Sequence, residues 1–276
     1  MRLPWVHIVL FVLTGLTTLT AGALQQGVNP LRQPWGLLEG LPFSASLMLI
    51  LLSHELSHYV ASRVHHTKAS LPYFIPAPTI IGTFGAVIKM RSPIITRRAL
   101  IDIGASGPIA GFIVSVLASV VGLARSEVVP TGTTEGALVL GDSLLFKLLS
   151  LMVLGPVPEG YDVLLHPVAF AGWIGLFITS LNLIPVGQLD GGHIAYGLLG
   201  ARHRTVSVAL VVALALMGMA FWQGWSLWAL LLLLLGLRHP PVLQWEIPLP
   251  RQHRLVGLAA LAIFILTFTP TPFRIM

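Results

Sequence analysis

LLSHELSHYV, residues 51–60, sets two histidines and a glutamate inside a run that otherwise reads as buried apolar helix. Ionisable groups are expensive to bury unless they are paired or hold a metal. On a helix, positions four apart are rotated by only about 40° and lie one turn above each other. His54 and His58 therefore project from one face and can share an ion, with Glu55 beside them. In this HExxH spacing the imidazoles bind a zinc ion and the glutamate accepts a proton from water. The competing use of the three groups is hydrogen bonding between helices, with Glu55 protonated or paired.

The surroundings decide what kind of helix this is. The 276 residues are 55% hydrophobic and 9% charged, with a mean hydropathy of +0.86, far more apolar than a soluble domain. A span of the hydrocarbon core needs about 20 apolar residues, and candidates lie near 7–24, 43–64, 99–124, 168–190, 205–222, 224–237 and 255–270. The sixth is short and the fourth is interrupted. None shows the alternation of an outer-membrane barrel strand. The expected fold is an all-α polytopic membrane protein of about seven transmembrane helices, forming a single integral membrane domain over 1–276.

Charge gives the orientation. Residues 63–98 hold Arg63, Lys68, Lys89, Arg91, Arg97 and Arg98 and no acid, whereas 125–167 hold Glu127, Glu135, Asp142, Glu159 and Asp162 against Arg125 and Lys147. The first loop is expected on the cytoplasmic side and the second outside. Basic residues hugging helix ends serve the bilayer rather than nucleic acid. The first span, with Arg2 before it and Ala21-Gly22-Ala23 closing it, fits an uncleaved helix and also a signal peptide.

The basic loop is itself odd. LPYFIPAPTIIGTFGAVIKMR, residues 71–91, is apolar yet broken by Pro72, Pro76, Pro78, Gly82 and Gly85. It cannot be one helix, and Phe84–Met90 suits a strand. Non-helical backbone enters a membrane only where protein or a cavity satisfies it. The expectation is a short re-entrant β-hairpin; the alternative is a loop resting on the surface.

Cysteine is absent, so any metal must use histidine and carboxylate. A catalytic zinc site wants three protein ligands and an open position. Asp102 and Asp190 are the carboxylates near membrane depth. The second and fourth spans both run inward, which brings Asp190 to a depth similar to that of His54 and His58. Pro185, Gly187, Gly191 and Gly192 break the chain around it and can turn its carboxylate into the bundle. Asp102 reads as an N-cap or surface carboxylate, and His65 and His66 read as interfacial. His193 reads either as a support for Asp190 or as a plain polar residue at a broken helix. Gly104, Gly107 and Gly111, with Ala105, Ser106 and Ala110, make a small-residue face for close helix packing.

HELSH in one span, GASGPIAG in the next and NLIPVGQLDGG after it resemble the site-2 protease family of intramembrane zinc metalloproteases, over about residues 43–200. The resemblance implies a three-helix catalytic core at 43–200 and accessory helices at about 205–270. It also implies one zinc ion per chain on His54, His58 and Asp190, with Glu55 as general base and Asn182 near the metal, holding substrate or the developing oxyanion. The substrate would be a transmembrane-helix protein cut within or near its span. The 71–91 hairpin looks like the family's re-entrant element. Many members carry a PDZ or CBS domain; nothing in this sequence reads as either. A bacterial inner membrane, with the site toward the cytoplasm, fits the charge bias most simply. A metal-ion carrier or a catalytically silent scaffold are the other readings.

Overall fold

A computed structural model describes residues 4–132 and 138–275; Arg2, read with the first span, and Glu135, counted in the charge balance, lie outside them. In chain order the helices are α1 (Trp5–Gln25), α2 (Leu41–Val64), α3 (Arg97–Leu123), α4 (Leu144–Leu154), α5 (Pro167–Asn182), α6 (Asp190–Leu199), α7 (His203–Ala220), α8 (Gly224–Leu235) and α9 (Arg251–Thr267). The strands are β1 (Tyr73–Pro76), β2 (Thr83–Val87), β3 (Glu127–Pro130), β4 (Leu138–Leu140), β5 (Tyr161–Leu164) and β6 (Phe273–Ile275). A 3-10 turn, Pro34–Gly40, leads into α2, and another, Gly200–Arg202, joins α6 to α7.

Four helical stretches among the described residues are long and apolar enough to cross a membrane: Trp5–Gln25, Pro34–Val64, Arg97–Leu123 and Asp190–Ala220. The other three expected spans appear as shorter helices. α5 has 16 residues, α8 has 12 and α9 has 17, below the roughly 20 that a perpendicular crossing needs. The expectation near 168–190 is corrected most. The helix stops at Asn182, the chain turns through Leu183–Leu189, and Asp190 opens a new helix instead of closing the old one. Pro185 denies an amide to the ladder, and Gly187 takes a positive φ of 57°, a conformation that favours glycine. α8 likewise ends at Gly236, at φ 99°.

Three two-stranded antiparallel sheets complete the described residues, pairing β1 with β2, β3 with β5 and β4 with β6. The all-α expectation foresaw only the first. The others join distant pieces of three or four residues on each side, too short for alternation to register.

The first sheet is the expected hairpin, and α1 is its wall. At one end His7 Nδ1 donates to the Pro72 carbonyl (2.9 Å) and its ring lies 4.2 Å from that of Tyr73. Phe11 then meets Phe74 edge-on at 5.0 Å, and Gly82 packs against the backbone of Thr17 and Thr18. At the far end Gln25 Nε2 donates to the Ile80 carbonyl (2.7 Å). From residue 7 to residue 25 a helix rises about 27 Å, and β1 with the turn that follows it is fastened to that helix near both ends. The hairpin thus follows α1 for a length comparable to the roughly 30 Å hydrocarbon core. Its other flank faces α2, where Ser62 Oγ reaches Met90 Sδ at 3.8 Å.

The core sits where α2, α3 and α5 cross. Phe43, Leu47, Leu123, Ala169, Trp173 and Ile174 are buried there. Small residues set the spacing: a Cβ on Gly172 would press on the Ser119 backbone, and one on Gly175 would lie 3.0 Å from Ile50. Such close approach lets backbones pack without large side chains between them.

Candidate metal centre

α2 presents His54 and His58 from successive turns, as their spacing requires, and both are buried at about 5% exposure. Their Nε2 atoms lie 3.1 Å apart. Asp190, at the first position of α6, brings Oδ2 to 3.2 Å from each. Among the described residues these three form the group able to hold a metal ion. The triangle has edges of 3.1, 3.2 and 3.2 Å. Ligands 2.0–2.1 Å from a tetrahedral zinc would stand about 3.3 Å apart, so the donor set fits that ion.

The tautomer of His58 supports the same reading. Its Nδ1 lies 2.7 Å from the Ile103 carbonyl, an acceptor only, so Nδ1 carries the proton and a neutral ring turns its Nε2 lone pair toward Asp190 and His54. This is the usual support for a metal-binding imidazole. Ser106 Oγ donates to the same carbonyl at 2.9 Å.

α3 provides the floor. Gly107 faces the His58 ring so closely that a Cβ there would overlap it, and a Cβ on Gly111 would stand 3.1 Å from His54 Nδ1. A Cβ on Gly104 would stand 3.0 Å from the Asp190 carbonyl oxygen and 2.9 Å from His193 Cβ. The expected small-residue face is therefore the surface on which both imidazoles and the start of α6 rest. Gly191 and Gly192 let that start fold back: a Cβ on Gly192 would lie 2.7 Å from the Val186 carbonyl oxygen.

Glu55 is buried beside the triad, with Oε1 4.0 Å from His54 Nε2, and the backbone amide of Ile88, just past β2, lies near its carboxylate. It is near the ion position without belonging to the triangle. Asn182, the last residue of α5, extends Nδ2 to 3.4 Å from His54 Nε2. The structure thus gathers all five residues singled out in the sequence: His54, Glu55, His58, Asn182 and Asp190.

A model of peptidase family M50 matches residues 42–223. The chain belongs to peptidase family M50, the site-2 proteases. This M50 chain is 31% identical over 238 residues to the probable zinc metalloprotease EGY2, chloroplastic, of Arabidopsis thaliana, covering 85% of the chain and 42% of the relative. It is 35% identical over 204 residues to the probable zinc metalloprotease EGY1, chloroplastic, of the same plant, covering 69% and 36%. The corresponding EGY2 protein of Oryza sativa subsp. indica is 30% identical over 222 residues, covering 80% and 41%. The M50 chain spans about two fifths of the length of these relatives. No solved structure matches it.

Other polar residues take places that the sequence did not reveal. Asp102 is not the N-cap of α3; Thr96 is, accepting from the Ala99 amide at 3.1 Å. Asp102 instead bridges two helices, with Oδ2 2.9 Å from His65 Nε2 and 3.2 Å from His253 Nε2. His65 is therefore tied into the bundle end. His193 pairs with His239 at 2.6 Å. The partners are separated by 37, 151 and 46 residues, and no local pattern reports such pairings.

Proposed function

We propose that this M50 protein is an intramembrane zinc metalloprotease that hydrolyses a peptide bond within or near a transmembrane segment of a membrane-protein substrate. The observation that carries this reading is the triangle of His54, His58 and Asp190 with Glu55 at its edge, built on a helix long enough to span a bilayer. The names of the relatives, probable zinc metalloproteases, support it.

His54, His58 and Asp190 would hold one zinc ion. When bound there, zinc supplies Lewis acidity toward a carbonyl and makes water acidic enough to ionise near neutral pH. Glu55 takes the proton from the attacking water and delivers it to the leaving amine. The side-chain amide of Asn182 donates toward the oxyanion of the tetrahedral intermediate. Its reach to within 3.4 Å of His54 Nε2 supports this role. β2 is bonded to β1 on one side only, so its second edge can pair with an unwound substrate segment by strand addition. The Ile88 amide beside Glu55 puts that edge next to the general base.

In this reading the whole chain is one membrane domain, with its catalytic core at 43–200, and the shorter helices α5, α8 and α9 complete about seven crossings. The basic residues of 63–98 support a site opening toward the cytoplasmic side of a bacterial-type inner membrane. The test is cleavage of a panel of single-span membrane proteins in liposomes by wild type and Glu55→Gln, with bound metal measured by elemental analysis. Cleavage within the span by wild type alone, with one zinc in each protein, is the expected result. Zinc in both and cleavage by neither would favour a carrier or a silent scaffold; no zinc in either would reject the metal site.

A further inference from the structure

The connection from Gly236 to Pro250 crosses the end of the bundle where α3 begins and α6 ends. The Gln244 amide donates to the Ile95 carbonyl at 2.9 Å, Arg97 sits 4.3 Å over the Trp245 ring, and Arg98 donates to the Pro248 carbonyl at 3.4 Å. Arg97 Nε also donates to the Gly197 carbonyl at 2.9 Å. This strap therefore joins the start of α3 to α6.

Its inner contact is a histidine pair. His239 Nδ1 is 2.7 Å from the Pro240 carbonyl, which can only accept, so Nδ1 carries the proton. Burial pulls the His239 imidazole below the usual histidine range, although the Pro240 carbonyl pulls the other way. In the resulting neutral ring, Nε2 is an acceptor, and the donor that meets it at 2.6 Å is His193 Nδ1–H. The His239 ring also stacks on Tyr196 at 4.4 Å and 14°. Both ring contacts fall on α6, at its first and second turns.

His193 is one helical turn from Asp190. Its backbone amide closes the first turn of α6 on the Leu189 carbonyl at 2.9 Å. Gly104 lies against His193 Cβ and the Asp190 carbonyl oxygen together, so one α3 glycine gauges both residues. Rotation of α6 that moves His193 must move Asp190 as well.

We propose that His193 and His239 are positioning residues for the metal centre: the strap, through the hydrogen bond accepted by His239 Nε2, holds the first turn of α6 in the rotation that brings Asp190 to His54 and His58. The proposal rests on the metal-site reading above and adds a residue 49 positions beyond Asp190 to the apparatus that sets the site. Outer partners that orient ligands change metal affinity by about 10–100-fold when lost.

The experiment measures zinc affinity by chelator competition, and apo-protein unfolding temperature, for wild type, His239→Phe, His239→Gln, His193→Leu and His193→Asn, each as the full chain in detergent. His239→Phe keeps a ring over Tyr196 and removes the acceptor, whereas His239→Gln puts an amide oxygen near the Nε2 position. His193→Asn places a donor near Nδ1, and His193→Leu does not. The expected result is a loss of about tenfold or more in zinc affinity for His239→Phe and His193→Leu, with His239→Gln and His193→Asn recovering most of it and all apo proteins unfolding together. Wild-type affinity in His239→Phe and His193→Leu overturns the proposal. So does equal loss in the rescuing variants, or loss that follows a lowered apo unfolding temperature. Absence of zinc from wild type would instead overturn the metal-site reading on which the proposal stands.

Discussion

Replacing Gly107 by alanine tests the geometry of the centre most sharply. A Cβ at 107 would stand 2.5 Å from His58 Cδ2 and 2.6 Å from Cε1, where ordinary contact begins at 3.4 Å. The ring would have to retreat by about 1 Å, while zinc sites tolerate ligand distances only within about 0.2 Å of the ideal. The imidazole cannot simply slide, because Nδ1 is held by the Ile103 carbonyl. A displacement of that size at a reacting centre costs about 100-fold in rate. Zinc affinity should fall by more than the 10–100-fold seen when an outer partner is lost. Gly111→Ala provides a graded comparison: its Cβ would lie 3.1 Å from His54 Nδ1, a few tenths of an ångström too near, so a smaller loss is expected. Gly15→Ala, in open space on α1, is the control. Chelator competition gives the affinity, and cleavage of a single-span substrate in liposomes gives the rate. Wild-type zinc affinity and cleavage in Gly107→Ala would refute the placement of α3 against His58, and an equal loss in all three would refute the graded argument.

Glu55→Gln should abolish cleavage while keeping one zinc per chain, since Glu55 stands outside the ligand triangle; loss of zinc in parallel would make it a ligand. Proline at Ala86 should impair cleavage far more than zinc binding, because it removes an amide from β2 and leaves α2 intact; equal loss of both would remove strand addition from the mechanism. Asp190→Asn should lower zinc affinity strongly with little change in apo-protein helicity, measured by circular dichroism alongside chelator competition. Unchanged affinity would move the third ligand elsewhere. Acidification should weaken zinc binding, since protons compete for the same Nε2 lone pairs; a zinc affinity, by chelator competition, that does not fall with pH would speak against histidine ligation.

The parts of this molecule legible in its sequence are those governed by local spacing. The i, i+4 relation of His54 and His58 needs only one helix. The apolar lengths of α1, α2 and α3 and the proline-glycine punctuation of 71–91 likewise act within single segments. Asp190 was legible because the breaks at Pro185, Gly187 and Gly192 surround it, although it opens a helix of its own beyond the end of α5 instead of closing α5. The link from Asp102 to His65 and His253, and that from His193 to His239, depend on how separate helices meet. A histidine near a helix end has the same appearance whether it faces water or another imidazole. The pairs β3–β5 and β4–β6 were hidden for a similar reason: three or four residues carry no periodicity, and their partners lie far along the chain.

The hairpin that runs beside α1 is fastened near both ends of that helix, by His7 to Pro72 and by Gln25 to Ile80, and its far strand leads to the Ile88 amide at Glu55. A helix whose apolar length differs from the local hydrocarbon thickness tilts to accommodate the mismatch. Because α1 cannot tilt without carrying its passenger, the thickness of the surrounding bilayer becomes an input to the geometry around Glu55. Shorter or longer lipid chains should therefore alter the cleavage rate while the zinc content, set on α2, α3 and α6, stays the same.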